Sequence, residues 1–125
     1  MKRVPRSIVV IATVVGIVTT VALLQLRPYL AYRRIVWDVK WNETASPDEQ
    51  RRTAHQALGL WLVDPHDIFI TLDRYGDESS IPYLRNALSH APKPDDEGMP
   101  CTWVHGQEAL ARILGRGHPP TKNSR

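Results

Sequence analysis

The chain has 125 residues and a formal net charge of +3, which bounds its folded part to one small domain. The charge is unevenly placed: residues 1–40 carry seven Lys/Arg against one acid, and residues 41–114 carry six against twelve. A basic balance that belongs to one end and not to a folded face excludes a nucleic-acid-binding domain, and a single cysteine, Cys101, excludes an internal disulfide.

A basic segment, residues 1–6 with Lys2, Arg3 and Arg6, precedes SIVVIATVVGIVTTVALLQL, Ser7 to Leu26, which holds no charged side chain. A helix of this length spans the ~30 Å hydrocarbon core of a bilayer, so residues 7–26 are expected to form a single transmembrane helix. The basic residues before the run are compact, whereas Arg27, Arg33, Arg34 and Lys40 after it are dispersed. The compact cluster favours the cytoplasmic side, which puts the C-terminal domain outside the cytoplasm. The rival reading is a cleaved signal peptide. The apolar run exceeds the ~7–15 residues of a signal core. The tolerable cleavage point, after Ala22, would leave Leu23 and Leu24 at a new terminus.

Residues 27–45 read as a juxtamembrane connector. Aromatic rings with polar handles and arginines that snorkel both suit the headgroup region. Arg27, Tyr29, Tyr32, Arg33 and Arg34 are therefore the candidate membrane-interface residues. Ile35, Trp37, Val39 and Trp41 alternate with Val36, Asp38 and Lys40, a period of two that suggests a strand. No partner strand is evident and a lone strand is unstable, so an ordered or extended connector is expected.

Residues 46–115 read as four short helices. Ser46 to Glu49, SPDE, is a capping box with Pro47 at the first helical position, and Ala54, Ala57, Leu58 and Trp61 then line one face. Asp64-Pro65 starts a second helix, with Ile68, Phe69, Leu72 and Tyr75 apolar and Gly76 as its stop. A third begins between Asp77 and Ser79 with Pro82 in its first turn, and its stripe is Ile81, Leu84, Leu88 and Ala91. The loop from Ala91 to Pro100 ends it. A fourth covers about Thr102 to Leu114, lined by Trp103, Gly106, Ala109, Leu110, Ile113 and Leu114. Residues 116–125 have nothing to pack and are expected to be a disordered basic tail.

GDESSIPYLRNAL from Gly76 resembles the first helix of a short HEAT repeat of the bilin-lyase-like type, through Gly76, Asp77, Ile81, Pro82, Leu84, Ala87 and Leu88. VHGQEALARILG from Val104 is similar to the second helix, through Val104, Ala109, Leu110, Ile113 and Gly115. Ala54, Ala57, Leu58 and Gly59 echo that second helix. His105 stands where the pattern usually has Arg, and the Ala91–Pro100 loop is longer and more acidic than usual. The resemblance implies an all-α fold: behind the transmembrane helix, a small antiparallel helical domain of about two HEAT-like repeats. Helical repeats gain stability from stacked neighbours, and about three are usually needed. An open end is therefore expected to be capped by Trp61, Trp103 and the connector aromatics, or covered by a second molecule. The candidate partner-binding residues are Trp61 and Trp103.

No catalytic, cofactor-binding or metal-binding set is read from the sequence. Cys101 and His105, four apart, can share a helix face, but a nucleophile pair also needs an orienting group and an oxyanion site. Cys101 reads as a small residue at a helix start. Asp64, His66 and Asp67 form a carboxylate and imidazole cluster. Zinc sites want three or four ligands at matched spacing, so two capping acids beside a surface histidine is the simpler reading. Gly115, Gly117 and His118 follow a helix and cannot present helix-start amides to a phosphate. Asp95-Asp96-Glu97-Gly98 lacks the alternation of a calcium loop, and Asn42-Glu43-Thr44 is an N-glycosylation sequon. The expected function is a membrane-tethered, non-catalytic interaction module, a scaffold or accessory subunit of a membrane complex. It would bind a protein partner or its own copy, touch lipid through the N-terminal helix, and need no cofactor. A secreted, soluble HEAT-like binding domain is the alternative; a small enzyme or bilin-binding protein comes last.

Overall fold

The structure is a computed structural model that describes residues 5–59, 64–94, 98 and 100–116, and it is all-helical. The helices are α1 (Arg6–Trp37), α2 (Val39–Thr44), α3 (Pro47–Ala57), α4 (His66–Tyr75), α5 (Ile81–His90) and α6 (Cys101–Arg116). Lys2, Arg3, Trp61, the acids Asp95 to Glu97, and the tail from Gly117, with His118, lie outside the described residues.

Helix α1 has 32 residues and is about 48 Å long. It is long and apolar enough to cross a membrane. From Ile8 to Leu24 its side chains are exposed all round the helix, so nothing among the described residues covers this apolar surface. Two hydroxyls within it, those of Thr13 and Thr20, donate to the carbonyls of Val9 and Gly16 at 2.9 and 2.8 Å. Neither leaves an unpaired donor facing outward, as an apolar solvent requires.

The expected boundary at Leu26 is not a structural one. α1 continues through Pro28 to Trp37 and turns one face into the domain. Ala31 and Ile35, one turn apart, are buried, with Tyr32 and Val36 packed at their sides, and this face rests on α3. The period of two at residues 35–41 is thus not a strand. Asp38 (φ −95°, ψ 84°) ends α1, and its carboxylate accepts the Trp41 amide at 2.9 Å to start α2. The break resets the helical phase, and the alternation is the sum of two short helical patterns.

Asn42 plugs this corner. Its side-chain amide lies 3.2, 3.0 and 3.1 Å from the carbonyls of Arg34, Ile35 and Asp38. The Arg34 and Asp38 carbonyls also accept the Asp38 and Asn42 backbone amides, and the Ile35 carbonyl lies among the last four of α1, which have no partner further along the helix. Gln50, buried, donates to the Asn42 carbonyl at 2.9 Å. With its nitrogen so engaged, Asn42 is not presented as a glycan acceptor.

The capping chemistry places the remaining helices. Ser46 Oγ accepts the Glu49 amide at 3.2 Å, with Pro47 in the first turn of α3. Glu49 does not complete the expected box; its carboxylate accepts the Trp41 indole N–H at 3.0 Å and so ties α2 to α3. Asp77 and Ser80 do form a reciprocal box, around a 3₁₀ turn over Glu78–Ser80 that runs into α5 with Pro82 in its first turn.

α4 packs against α3 and α6, and α5 against α6. Their contacts join Ala54, Ala57, Ile68, Phe69, Leu72, Leu84, Leu88, Ala109 and Ile113 with Ala31 and Ile35 in one core. The helices approach closely because small residues sit where they meet. A Cβ added to Gly106 would lie 2.6 Å from Leu88 Cδ2 and 2.9 Å from the Phe69 ring. Arg112 Nε, 3.0 Å from Asp73 Oδ1, adds an ion pair from α6 to α4. The α6 stripe is narrower than its sequence suggests: Trp103 and Leu110 are half-buried, and Leu114 is exposed.

Candidate functional site

Among the described residues, one group of potential metal-ligating side chains comes together, where α4 and α6 both begin. His66 opens α4, Cys101 opens α6, and His105 lies one turn further along α6. One donor atom from each falls within 4.8 Å of the other two. Cys101 Sγ is 3.3 Å from His66 Nε2, and the two imidazole rings meet edge to face with centroids 4.8 Å apart. Cys101 is exposed and both histidines are half-buried, so the group opens to solvent.

Carboxylates stand behind both rings. Asp67 Oδ1 lies 3.3 Å from His66 Nδ1, and Glu108 Oε2 lies 3.4 Å from His105 Nδ1. A proton placed on Nδ1, facing such a carboxylate, would leave the lone pair on Nε2. Asp64 joins the two chain segments. One of its oxygens accepts the His66 amide at 3.1 Å and the Thr102 hydroxyl at 2.6 Å. The residue expected to cap α4 therefore also ties the start of α4 to the first turn of α6.

A second polar cluster links α3 to the α5 start. His55 stacks on Tyr83, with rings 4.1 Å apart and nearly parallel, and its Nε2 lies 2.8 Å from Ser80 Oγ. Ser80 is fully buried and accepts the Asp77 amide at 3.3 Å. Asp77 in turn accepts from the Ser79 hydroxyl and amide and pairs with Arg51 at 2.9 Å. Burial pushes the His55 imidazole below its ordinary value; Asp77 opposes this shift and Arg51 adds to it. Asp77 is held below the usual carboxylate range, first by the Ser79 hydroxyl bond.

The His55 shift has a sign for stability. The unfolded imidazole takes its proton near pH 6.5, the folded one at lower pH. The contribution of His55 is thus complete above about pH 6.5 and is lost as pH falls through the folded value. Thermal midpoints of the full chain in detergent micelles should drop between neutral and mildly acid pH. The drop should be shallower in His55→Gln, which cannot titrate; equal slopes in the two proteins would remove this role.

A third feature is a groove between the end of α1 and α3, lined by Arg27, Leu30, Ala31, Arg33, Arg34, Trp37, Asp38, Thr53 and Gln56. Three of the five candidate membrane-interface residues thus meet on one surface. Arg33 lies over the Trp37 ring at 5.9 Å, and Arg34 reaches to 3.9 Å from Glu49. Tyr29 is exposed nearby, while Tyr32 packs edge-on to Trp37 and against the core. Of the two candidate partner-binding residues, Trp103 packs against the core and is half-buried, and Trp61 lies outside the described residues.

The sequence did not point to His66, Cys101 and His105 as one group. The helical spacing of Cys101 and His105 was the visible signal. His66 stands far earlier in the chain, beyond any local spacing rule, and only the pairing of α4 with α6 brings it in. Comparison of the chain with protein-family models, with curated proteins and with solved structures gives no match in any of the three.

Proposed function

We infer that the chain is a single-pass membrane protein that holds a small, HEAT-like helical domain on the membrane surface. It acts there as a non-catalytic scaffold or accessory subunit that binds another protein or a second copy. The observation that carries this reading is the continuity of α1: the helix whose apolar surface is bare from Ile8 onward is the same helix that buries Ala31 and Ile35 in the domain.

The distances follow from helix geometry. Ala31 lies five residues past Leu26, a rise of about 7 Å, comparable to the headgroup layer on one side of a bilayer. A domain packed on α1 from that point has no leash; it sits at the lipid headgroups. The groove arginines, Arg27, Arg33 and Arg34, then face lipid phosphates. Large apolar side chains remain open on the domain for a partner: Trp37 at 61% and Val39 at 67% exposure in the α1–α2 corner, with Ile70, Tyr83 and Leu114 elsewhere. The compact N-terminal basic cluster supports an extracytoplasmic domain.

The test is fractionation of cells producing the full chain. The protein should remain in the membrane pellet through high-salt and alkaline washes, with an intact mass that includes the N-terminal residues. Protease added outside intact cells should digest the part beyond Arg27. Release by alkali removes the anchor, loss of about the first 22 residues supports the secreted alternative, and protection of the domain reverses the orientation.

A further inference from the structure

The geometry points to a divalent metal site of the zinc class formed by His66, Cys101 and His105, which clips the start of α4 to the start of α6. Two imidazole nitrogens and one thiolate are the borderline-to-soft set that suits zinc, and three protein ligands leave a fourth tetrahedral position for water. Cys101 and His105 are four residues apart on one helix, the spacing at which two helical side chains reach a common point.

The separations fit. Atoms held ~2.3 Å (sulfur) and ~2.0–2.1 Å (nitrogen) from one tetrahedral centre lie about 3.6 Å apart. Cys101 Sγ and His66 Nε2 already stand at 3.3 Å. No pair of the three donor atoms exceeds 4.8 Å, so the widest pair needs about 1 Å of closure to reach tetrahedral spacing.

The surroundings fit as well. A metal-bound histidine typically gives its other ring N–H to a carboxylate. Here both rings have one, Asp67 for His66 and Glu108 for His105. These two acids also offset the positive charge left when one thiolate meets a divalent ion. The Cys101 thiol proton passes to solvent as the sulfur–metal bond forms. Asp64, bound at once to the His66 amide and the Thr102 hydroxyl, holds the two halves at their separation before any ion arrives. Paired salt bridges or surface capping alone would not require a thiol and two imidazoles to converge from two helices.

The site is tested on the full chain in detergent micelles, without a polyhistidine tag, using Zn²⁺ and Co²⁺ as probes. Wild type should bind one Zn²⁺ per chain at micromolar or lower concentration and melt at a higher temperature when it is present. The Co²⁺ form should show the visible bands of a tetrahedral ion and a thiolate-to-cobalt charge-transfer band in the near ultraviolet. Cys101→Ser should abolish that charge-transfer band, His66→Gln and His105→Gln should abolish stoichiometric binding, and His90→Gln, on α5 away from the site, should bind as wild type does. Asp67→Asn and Glu108→Gln should weaken binding about 10–100-fold. The proposal is overturned by absence of stoichiometric Zn²⁺ binding to the wild type, by a wild-type Co²⁺ spectrum without a thiolate band, or by binding that survives the histidine substitutions. The wild-type spectrum decides the matter even where a variant does not fold.

Discussion

Phe69→Ala should cost the domain about 3–5 kcal/mol, a large share of the ~5–15 kcal/mol that holds a small domain together. Phe69 is fully buried and is the largest of the side chains at the centre of the core. The upper part of the range is expected because of what faces it. Gly106 lies so close to the Phe69 ring that an added Cβ would stand 2.9 Å from it, and as glycine it has no side chain to move into the space. The cavity would therefore stay open, and the residual volume sets the cost. Thermal unfolding of the full chain in micelles, followed by loss of helical ellipticity, measures the effect. A change below about 1 kcal/mol would show that Phe69 is not at a close-packed contact.

Ile35→Asp should be of similar severity, for a different reason. Ile35 is 7% exposed on the face of α1 that rests on α3. The substitution removes packing worth ~2–5 kcal/mol and leaves a carboxylate in an apolar contact, a further penalty unless it finds a partner. The useful comparison is Val39→Asp, at an exposed position two residues after α1 ends, where a change within about 0.5 kcal/mol is expected. Limited proteolysis of the two variants in membranes reads the difference. Ile35→Asp should expose the domain to cleavage while leaving the membrane association of α1 intact. Equal resistance in both variants would mean that α1 merely carries the domain and forms no part of its core.

The two substitutions probe regions that differed in how well they could be read from sequence. The domain helices carry local signals that act within a turn or two. Ser46 and Pro47 start α3, Asp77 and Pro82 start the segment leading into α5, and the positions of Ile68, Phe69, Leu72, Leu84 and Leu88 repeat at helical spacing. Each of those signals is a short-range steric or hydrogen-bonding requirement, so the sequence displays it. The reach of α1 was hidden because Ala31 and Ile35 are ordinary residues among arginines and tyrosines, and the corner at Asp38 disguised two helical phases as an alternation. Asn42, whose amide closes that corner, was visible only as part of a sequon, which is defined by neighbours in sequence and not by what the side chain already bonds. The group at His66, Cys101 and His105 was hidden more deeply. Its members look like a surface histidine, a helix-start residue and a departure from a repeat pattern until α4 and α6 are set side by side.

The unbroken course of α1 has a mechanical consequence. A helix turns about 100° and rises about 1.5 Å with each residue, so a domain fused to it without slack behaves like a nut on a thread. If α1 crosses a bilayer as proposed, the number of residues between Leu26 and Ala31 fixes the compass bearing of the domain in the membrane plane as well as its height. One residue more or fewer would swing the whole domain through more than a quarter turn and present a different side to its lateral neighbours. Seven more would restore the bearing to within about 20° and lift the domain by about 10 Å. Were α1 to span a bilayer as proposed, a rotation of its apolar half would reach the domain through the single stretch around Pro28, where the proline ring removes one helical hydrogen bond.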